Sequence, residues 1–161
     1  MNRALLEEML KRMKKNLHDA KDIGTLKIGA LFALGSQLEA IFYFIGHELG
    51  TKIDDVREKE LAKSLMKVAE KYHLGRVEVI ENAPDHISFR LENCSSCRQL
   101  IGEGNEGNDS KVGQGFCSFE AGVFAGIVER LTNKHCFAQE TSCALETGTE
   151  NCEFIIVIPQ E

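Results

Sequence analysis

All six cysteines of this 161-residue chain fall between Cys94 and Cys152, and the first 93 residues hold none. Three of them share a segment with a glutamate, in the order Cys117-x22-Glu140-x2-Cys143-x8-Cys152. Three thiolates and a carboxylate fill the four-coordinate shell that Zn²⁺ prefers. A shell of this kind needs side chains that converge, so it constrains how the C-terminal half can fold.

The local patterns suggest how convergence would arise. Residues 116–132 read as a helix, with Val123, Phe124, Ile127, Val128 and Leu131 apolar, which puts Cys117 in its first turn. There the helix dipole favours a thiolate. A hairpin closes the chain, with arms near Cys136–Leu145 and Cys152–Ile158 and Thr147-Gly148-Thr149 at the turn. Glu140 and Cys143 lie on its first arm, at an odd spacing that points them to opposite faces of a regular strand. A bulge or an early bend near Thr141-Ser142 is therefore required if both bind one ion. A competing site uses Cys94-x2-Cys97 with two later cysteines, and spacing alone does not choose between the two. A redox role for that pair lacks the expected βαβ surroundings. Some of the six cysteines are expected to be plain buried hydrophobes.

Upstream, Leu6, Met9, Leu10, Met13 and Leu17 give residues 2–18 a helical stripe suited to docking or to a dimer contact. A second helix, residues 30–49, is apolar on more than one side, and Gly50 fits its C-cap. A third runs to about His73 from a cap at Asp54 or Asp55, with Leu61, Leu65, Val68 and Tyr72 inward. Val77–Val79 and Ile87–Leu91 then alternate around Ala83-Pro84-Asp85 as a first hairpin. Residues 102–115 form a polar loop, long enough for a lid. Its Gly102-x-Gly104-x2-Gly107 is not a nucleotide loop, because no helix follows and Glu103 and Glu106 would repel phosphate. Gly122 and Gly126, four apart on one face, read as a site of close backbone packing, with the floor of a ligand cavity as the alternative. The order helices, hairpin, loop, helix, hairpin predicts an α+β domain, an antiparallel sheet packed against helices. In the last arm both faces are apolar, so that strand is central or covered.

Charge narrows the function classes. The net charge is −6. Residues 1–21 hold six cationic and three acidic side chains, leaving −9 on the remainder. Direct nucleic-acid binding is not expected of such a surface. No apolar run approaches the ~20 residues of a membrane span, and no secretory signal opens the chain, so a cytoplasmic location is expected.

The run from Gly113-Gln-Gly-Phe-Cys117 through Cys136-Phe-Ala-Gln-Glu140-Thr-Ser-Cys143 to Cys152-Glu-Phe154 resembles the 4-vinyl reductase domain family, described as predicted hydrocarbon-binding domains. The resemblance is strongest over residues 75–158 and implies one domain across 1–161, with residues 1–50 contributing to a homodimer. It implies the ligand-binding fold shared by haem-nitric-oxide-binding domains and Golgi transport-particle subunits. In the aromatic-sensing members it implies zinc held at the positions of Cys117, Glu140, Cys143 and Cys152. The last gap is a residue longer here, which makes Cys136 the nearest substitute for Cys152, and the role of Cys94 and Cys97 stays open. A four-ligand protein shell is structural rather than catalytic. The implied function is a sensor or carrier of a small hydrophobic molecule, acting with a regulatory partner. The apolar material for its pocket is Phe42, Phe89, Phe116, Phe119 and Phe124, with His86 as a candidate polar anchor. The alternatives are a reductase or accessory protein acting on a vinyl tetrapyrrole, for which no acid–base pair stands out, and a pure interaction module.

Overall fold

The computed structural model describes residues 37–53, 60–102 and 116–160. The expected helix at 2–18, the start of the second helix, the cap at Asp54 or Asp55 and nearly all of the 102–115 loop lie outside the described residues. The elements in order are α1 (Gln37–Thr51), α2 (Leu61–Lys71), β1 (Arg76–Asn82), β2 (His86–Glu92), α3 (Arg98–Gly102), α4 (Ser118–Thr132), β3 (Phe137–Ser142), α5 (Ala144–Thr147) and β4 (Asn151–Val157). No helix among them is long and apolar enough to cross a membrane.

The two hairpins lie side by side in one antiparallel sheet, in the order β1-β2-β4-β3. β4 is therefore central, as its two apolar faces predict. Side chains alternate across each strand, so β2 turns Ile87, Phe89 and Leu91 inward and β4 turns Cys152, Phe154 and Ile156 inward. These residues pair in register, Ile87 with Ile156, Phe89 with Phe154 and Leu91 with Cys152. Phe124 of α4 meets the edge of Phe89, with ring centroids 4.9 Å apart, while Phe154 stacks on Phe89 at 5.3 Å. All three rings are fully buried. Each contributes about 1.5–3 kcal/mol through burial of apolar surface.

Helix α4 is buried from Ser118 to Val128, on nearly every side. It lies between the sheet and α1. On the α1 side two pairs of glycines interlock. A Cβ on Gly46 would strike the Phe119 carbonyl, and one on Gly50 the Val123 carbonyl. Reciprocally, Gly122 abuts the Tyr43 carbonyl and Gly126 the His47 carbonyl. The close-packing reading of Gly122 and Gly126 thus holds. Gly50 is not the C-cap expected of it: α1 continues through Thr51, because Gly50 is needed where the two backbones touch.

Helix α2 buries Leu65, Val68 and Ala69. Tyr72, expected to face inward, is half exposed at the C-cap. Gly75 then takes φ +143°, and a side chain there would meet the Glu92 carbonyl oxygen at 2.6 Å. Only glycine tolerates that passage into β1.

Candidate metal centre

Five cysteines and one glutamate converge where β2, α4 and the second hairpin meet. Asn93, at φ 53°, turns the chain out of β2. The turn that follows is tied by Ser95 N–H to the Leu74 carbonyl at 2.7 Å and by Cys97 N–H to the Cys94 carbonyl at 3.0 Å. Both thiols of Cys94-x2-Cys97 are buried. Cys117 is the N-cap residue of α4 and Cys143 that of α5. Cys152 lies in β4 opposite Leu91. Glu140 opposes Phe154, and the register of β3 against β4 shifts between Glu140 and Ser142. This is the irregularity the odd spacing requires. It lets Glu140 and Cys143 serve the same side.

The donors form two overlapping groups: Cys94, Cys97, Cys117 and Cys152, and Cys117, Glu140, Cys143 and Cys152. Within each, all ligand atoms lie within 4.8 Å of one another. The Sγ–Sγ separations are 3.5 Å for Cys94–Cys117, 3.3 Å for Cys97–Cys117 and 3.6 Å for Cys117–Cys152. Cys97 lies 3.8 Å from Cys143 and 3.7 Å from Cys152. A disulfide needs about 2.05 Å, and all six cysteines are free. A tetrahedron with Zn–S bonds of about 2.3 Å has edges of about 3.8 Å. The thiol packing therefore suits a single four-coordinate ion in either group.

Without a cation the cluster is electrostatically awkward. Burial, followed by the Cys143 thiolate, pushes the Glu140 carboxyl up to about 8. The Cys143 and Cys94 thiols are held below the ordinary thiol range, in each case first by the sulfur of Cys117. Cys117 is itself raised, first by its contact with Cys143. Anions crowded in a low-dielectric site cannot all ionise unless positive charge is supplied. Backbone donors help in part. Cys117 N–H donates to Glu140 Oε2 at 3.2 Å, and Ala144 N–H points at Cys152 Sγ at 3.4 Å.

One residue of the centre was not singled out from sequence. Glu120 is completely buried one helical turn after Cys117, and its Oε1 accepts hydrogen bonds from Ser95 at 2.6 Å and from Ser96. The serines are the two residues inside Cys94-x2-Cys97, so Glu120 fixes that turn onto α4. An acid three residues after a helix-start cysteine, on an otherwise apolar helix, was the available signal. Cys136 is not in the cluster. Its sulfur lies 3.1 Å from the Lys134 carbonyl and 3.6 Å from Thr132 Oγ1.

A cavity of about 530 Å³ opens beside the centre. Its walls are Glu39, Ala40, Tyr43 and Phe44 of α1, Ser118 and Ala121 of α4, and Phe137 to Glu140 of β3. Tyr43 accepts a hydrogen bond from Ala138 N–H at 2.9 Å and packs on Phe137, tying α1 to the edge strand. Glu140 belongs to both the cavity wall and the donor set. None of Phe42, Phe89, Phe116, Phe119 and Phe124 lines this cavity. Phe89 and Phe124 fill the core, Phe116 is buried, and Phe42 and Phe119 are half-buried. The cavity's own aromatics, Tyr43, Phe44 and Phe137, went unread because α1 shows no clean stripe. His86 sits on the first hairpin's turn, bonded to Asp85 at 2.8 Å and 3.3 Å from Glu81, away from the cavity.

This architecture defines the class: an α+β ligand-binding fold of the nitric-oxide-signalling and Golgi-transport type. The phenol-responsive sensory domain of the transcription activator PoxR, solved with phenol, aligns with a TM-score of 0.63 at 16% identity, covering 84% of this chain and 72% of that one. A trafficking protein particle complex subunit 3 from Naegleria fowleri, covalently bound to palmitic acid, aligns at 0.55 and 15%, covering 98% and 94%. A vinyl-4-reductase family protein from Methanocaldococcus jannaschii aligns at 0.53 and 20%, covering 97% and 96%. In sequence, the uncharacterized protein MJ0150 of Methanocaldococcus jannaschii is 30% identical over 170 residues, covering 94% of this chain and 92% of the relative. MJ1642 of the same organism is 33% identical over 121 residues, which are 75% of this chain but only 65% of that relative. Residues 108–158 match the family model of the 4-vinyl reductase domain. The chain belongs to the 4-vinyl reductase domain family. The matched segment contains Cys117, Glu140, Cys143 and Cys152, whereas Cys94 and Cys97 precede it.

Proposed function

We propose that this protein binds a small hydrophobic molecule, as a sensor or carrier, in the cavity between α1, α4 and β3, and that the cavity is built against a structural zinc centre. The carrying observation is that Glu140 stands in the cavity wall and in the donor set at once. The cavity has the size of a small-molecule site, with mostly apolar walls and few polar groups. The PoxR domain holds phenol and the trafficking subunit palmitic acid, which supports an apolar ligand class here. Zinc would sit on Cys117, Glu140, Cys143 and Cys152. When bound it supplies the positive charge that the buried donors lack and cross-links the start of α4 to the second hairpin. It takes no part in a reaction. Free thiols in this number fit a reducing, cytoplasmic setting.

The same reading assigns one domain to residues 1–161 and a homodimer contact to residues 1–50. Ile41, Phe44, Ile45 and Leu49 give α1 an exposed apolar stripe that suits a second copy. A sensor of this kind would act through a regulatory partner.

A native mass spectrum of the protein purified from its host under reducing conditions reads metal, ligand and oligomeric state together. The expected species is a dimer carrying zinc and a small organic mass. A metal-free monomer at the bare polypeptide mass would overturn the reading.

A further inference from the structure

One four-coordinate ion uses four donors, and this centre has six. With an ion on Cys117, Glu140, Cys143 and Cys152, the Cys94 and Cys97 sulfurs remain buried against it, 3.5 and 3.3 Å from Cys117. They are not loosely placed. Their turn is pinned by backbone hydrogen bonds to Leu74 and across Cys94–Cys97, and by the two serines donating to buried Glu120. The chain has thus ordered two further thiols, and it buries a carboxylate to do so.

The two donor groups share two members, Cys117 and Cys152, whose sulfurs are 3.6 Å apart. Cys94 and Cys97 lie with that shared pair in one group, and Glu140 and Cys143 lie with it in the other. This is the arrangement of two tetrahedra joined along an edge. The geometry points to a binuclear centre: two thiophilic divalent cations bridged by the Cys117 and Cys152 thiolates. Cys94 and Cys97 complete the second ion's shell, as Glu140 and Cys143 complete the first. The inference rests on the single-ion reading above and adds an ion to it.

Charge supports the second ion. Five thiolates and a carboxylate carry six negative charges, and one divalent ion leaves four of them uncompensated in a buried site. Two ions leave two, which the Cys117 and Ala144 backbone N–H groups face. An iron–sulfur cluster is a poorer fit. Inorganic sulfide would have to lie between the thiolates, and sulfurs 3.3 to 3.8 Å apart leave no room for it. Each divalent ion displaces the protons of the thiols it binds, so no oxidant or reductant is involved.

The test is a Co²⁺ and Zn²⁺ titration of the full-length, reduced, metal-free protein, read by metal analysis, visible absorption and electron paramagnetic resonance. Two equivalents should bind. The cobalt spin signal should grow to one equivalent and then fall as the second ion couples to the first through the bridging sulfurs. The Cys94→Ser/Cys97→Ser double variant should bind one equivalent, with no loss of signal on further addition. One equivalent in the wild type would overturn the binuclear centre and leave the single-ion reading standing. No tight binding in the wild type would overturn both. Because the wild-type stoichiometry decides the matter, a variant that fails to fold does not rescue the proposal.

Discussion

Helix α4 is held in two places by opposite means. Along its middle, Gly122 and Gly126 meet Gly46 and Gly50 of α1 backbone to backbone, and the contact exists because side chains are missing. At its start, Cys117 gathers thiols and a carboxylate while Glu120 gathers two serines, and the contact exists because particular side chains are present. The first joint is complete as the polypeptide stands. The second holds more buried negative charge than the polypeptide can neutralise. One region therefore depends on shape alone and the other on what binds to it.

The comparison breaks most visibly under chelation. Removing metal from the reduced protein should lower stability by at least ~3 kcal/mol, since binding free energy at a structural zinc site is folding free energy. Thermal melts with and without a strong chelator measure this, and superimposable curves would show that the thiols are mere packing. Next in size, Gly126→Ala should cost about 3 kcal/mol by overpacking. Its new methyl group would meet the His47 carbonyl and stand 2.8 Å from Thr51 N, so the helices must part. Urea midpoints report the loss, while metal content should not change; a loss of metal would show that the two joints are not separable. The smallest effect should come from Glu120→Met, which keeps the volume but leaves Ser95 and Ser96 without that acceptor. About 1–2 kcal/mol is expected, together with faster alkylation of Cys94 and Cys97 in the metal-free protein. Unchanged alkylation rates would mean that Glu120 does not position that turn.

These two joints were legible to different degrees. Gly122 and Gly126 stood out by spacing, but their partners on α1 did not, since Gly50 also fits a helix end and local sequence does not say which helices cross. The odd spacing of Glu140 and Cys143 required a bulge, and β3 has one. The two hairpins and the central place of the last strand followed from alternation and turn residues. The convergence of Cys94-x2-Cys97 on the same cluster was not legible. Spacing offered two sites as rivals, and only the pairing of β2 with β4, which sets Leu91 beside Cys152, brings them together. The cavity lining was misread for a related reason: phenylalanine is as much at home in a core as in a pocket, and tertiary packing decides which.

The sequence separations inside the centre bear on the order of events in folding. Cys117 stands 23 residues from Cys94 and 35 from Cys152, and Cys97 stands 55 from Cys152. Closing such loops carries an entropic cost that grows with their length. An unfolded chain offers an ion only Cys94-x2-Cys97 and Glu140-x2-Cys143 as local pairs. The full set exists once β2 has found β4 and α4 has settled on the sheet. Metal capture is then a late step that locks a topology already chosen by the apolar core, and the chain must reach that point with its thiols still reduced.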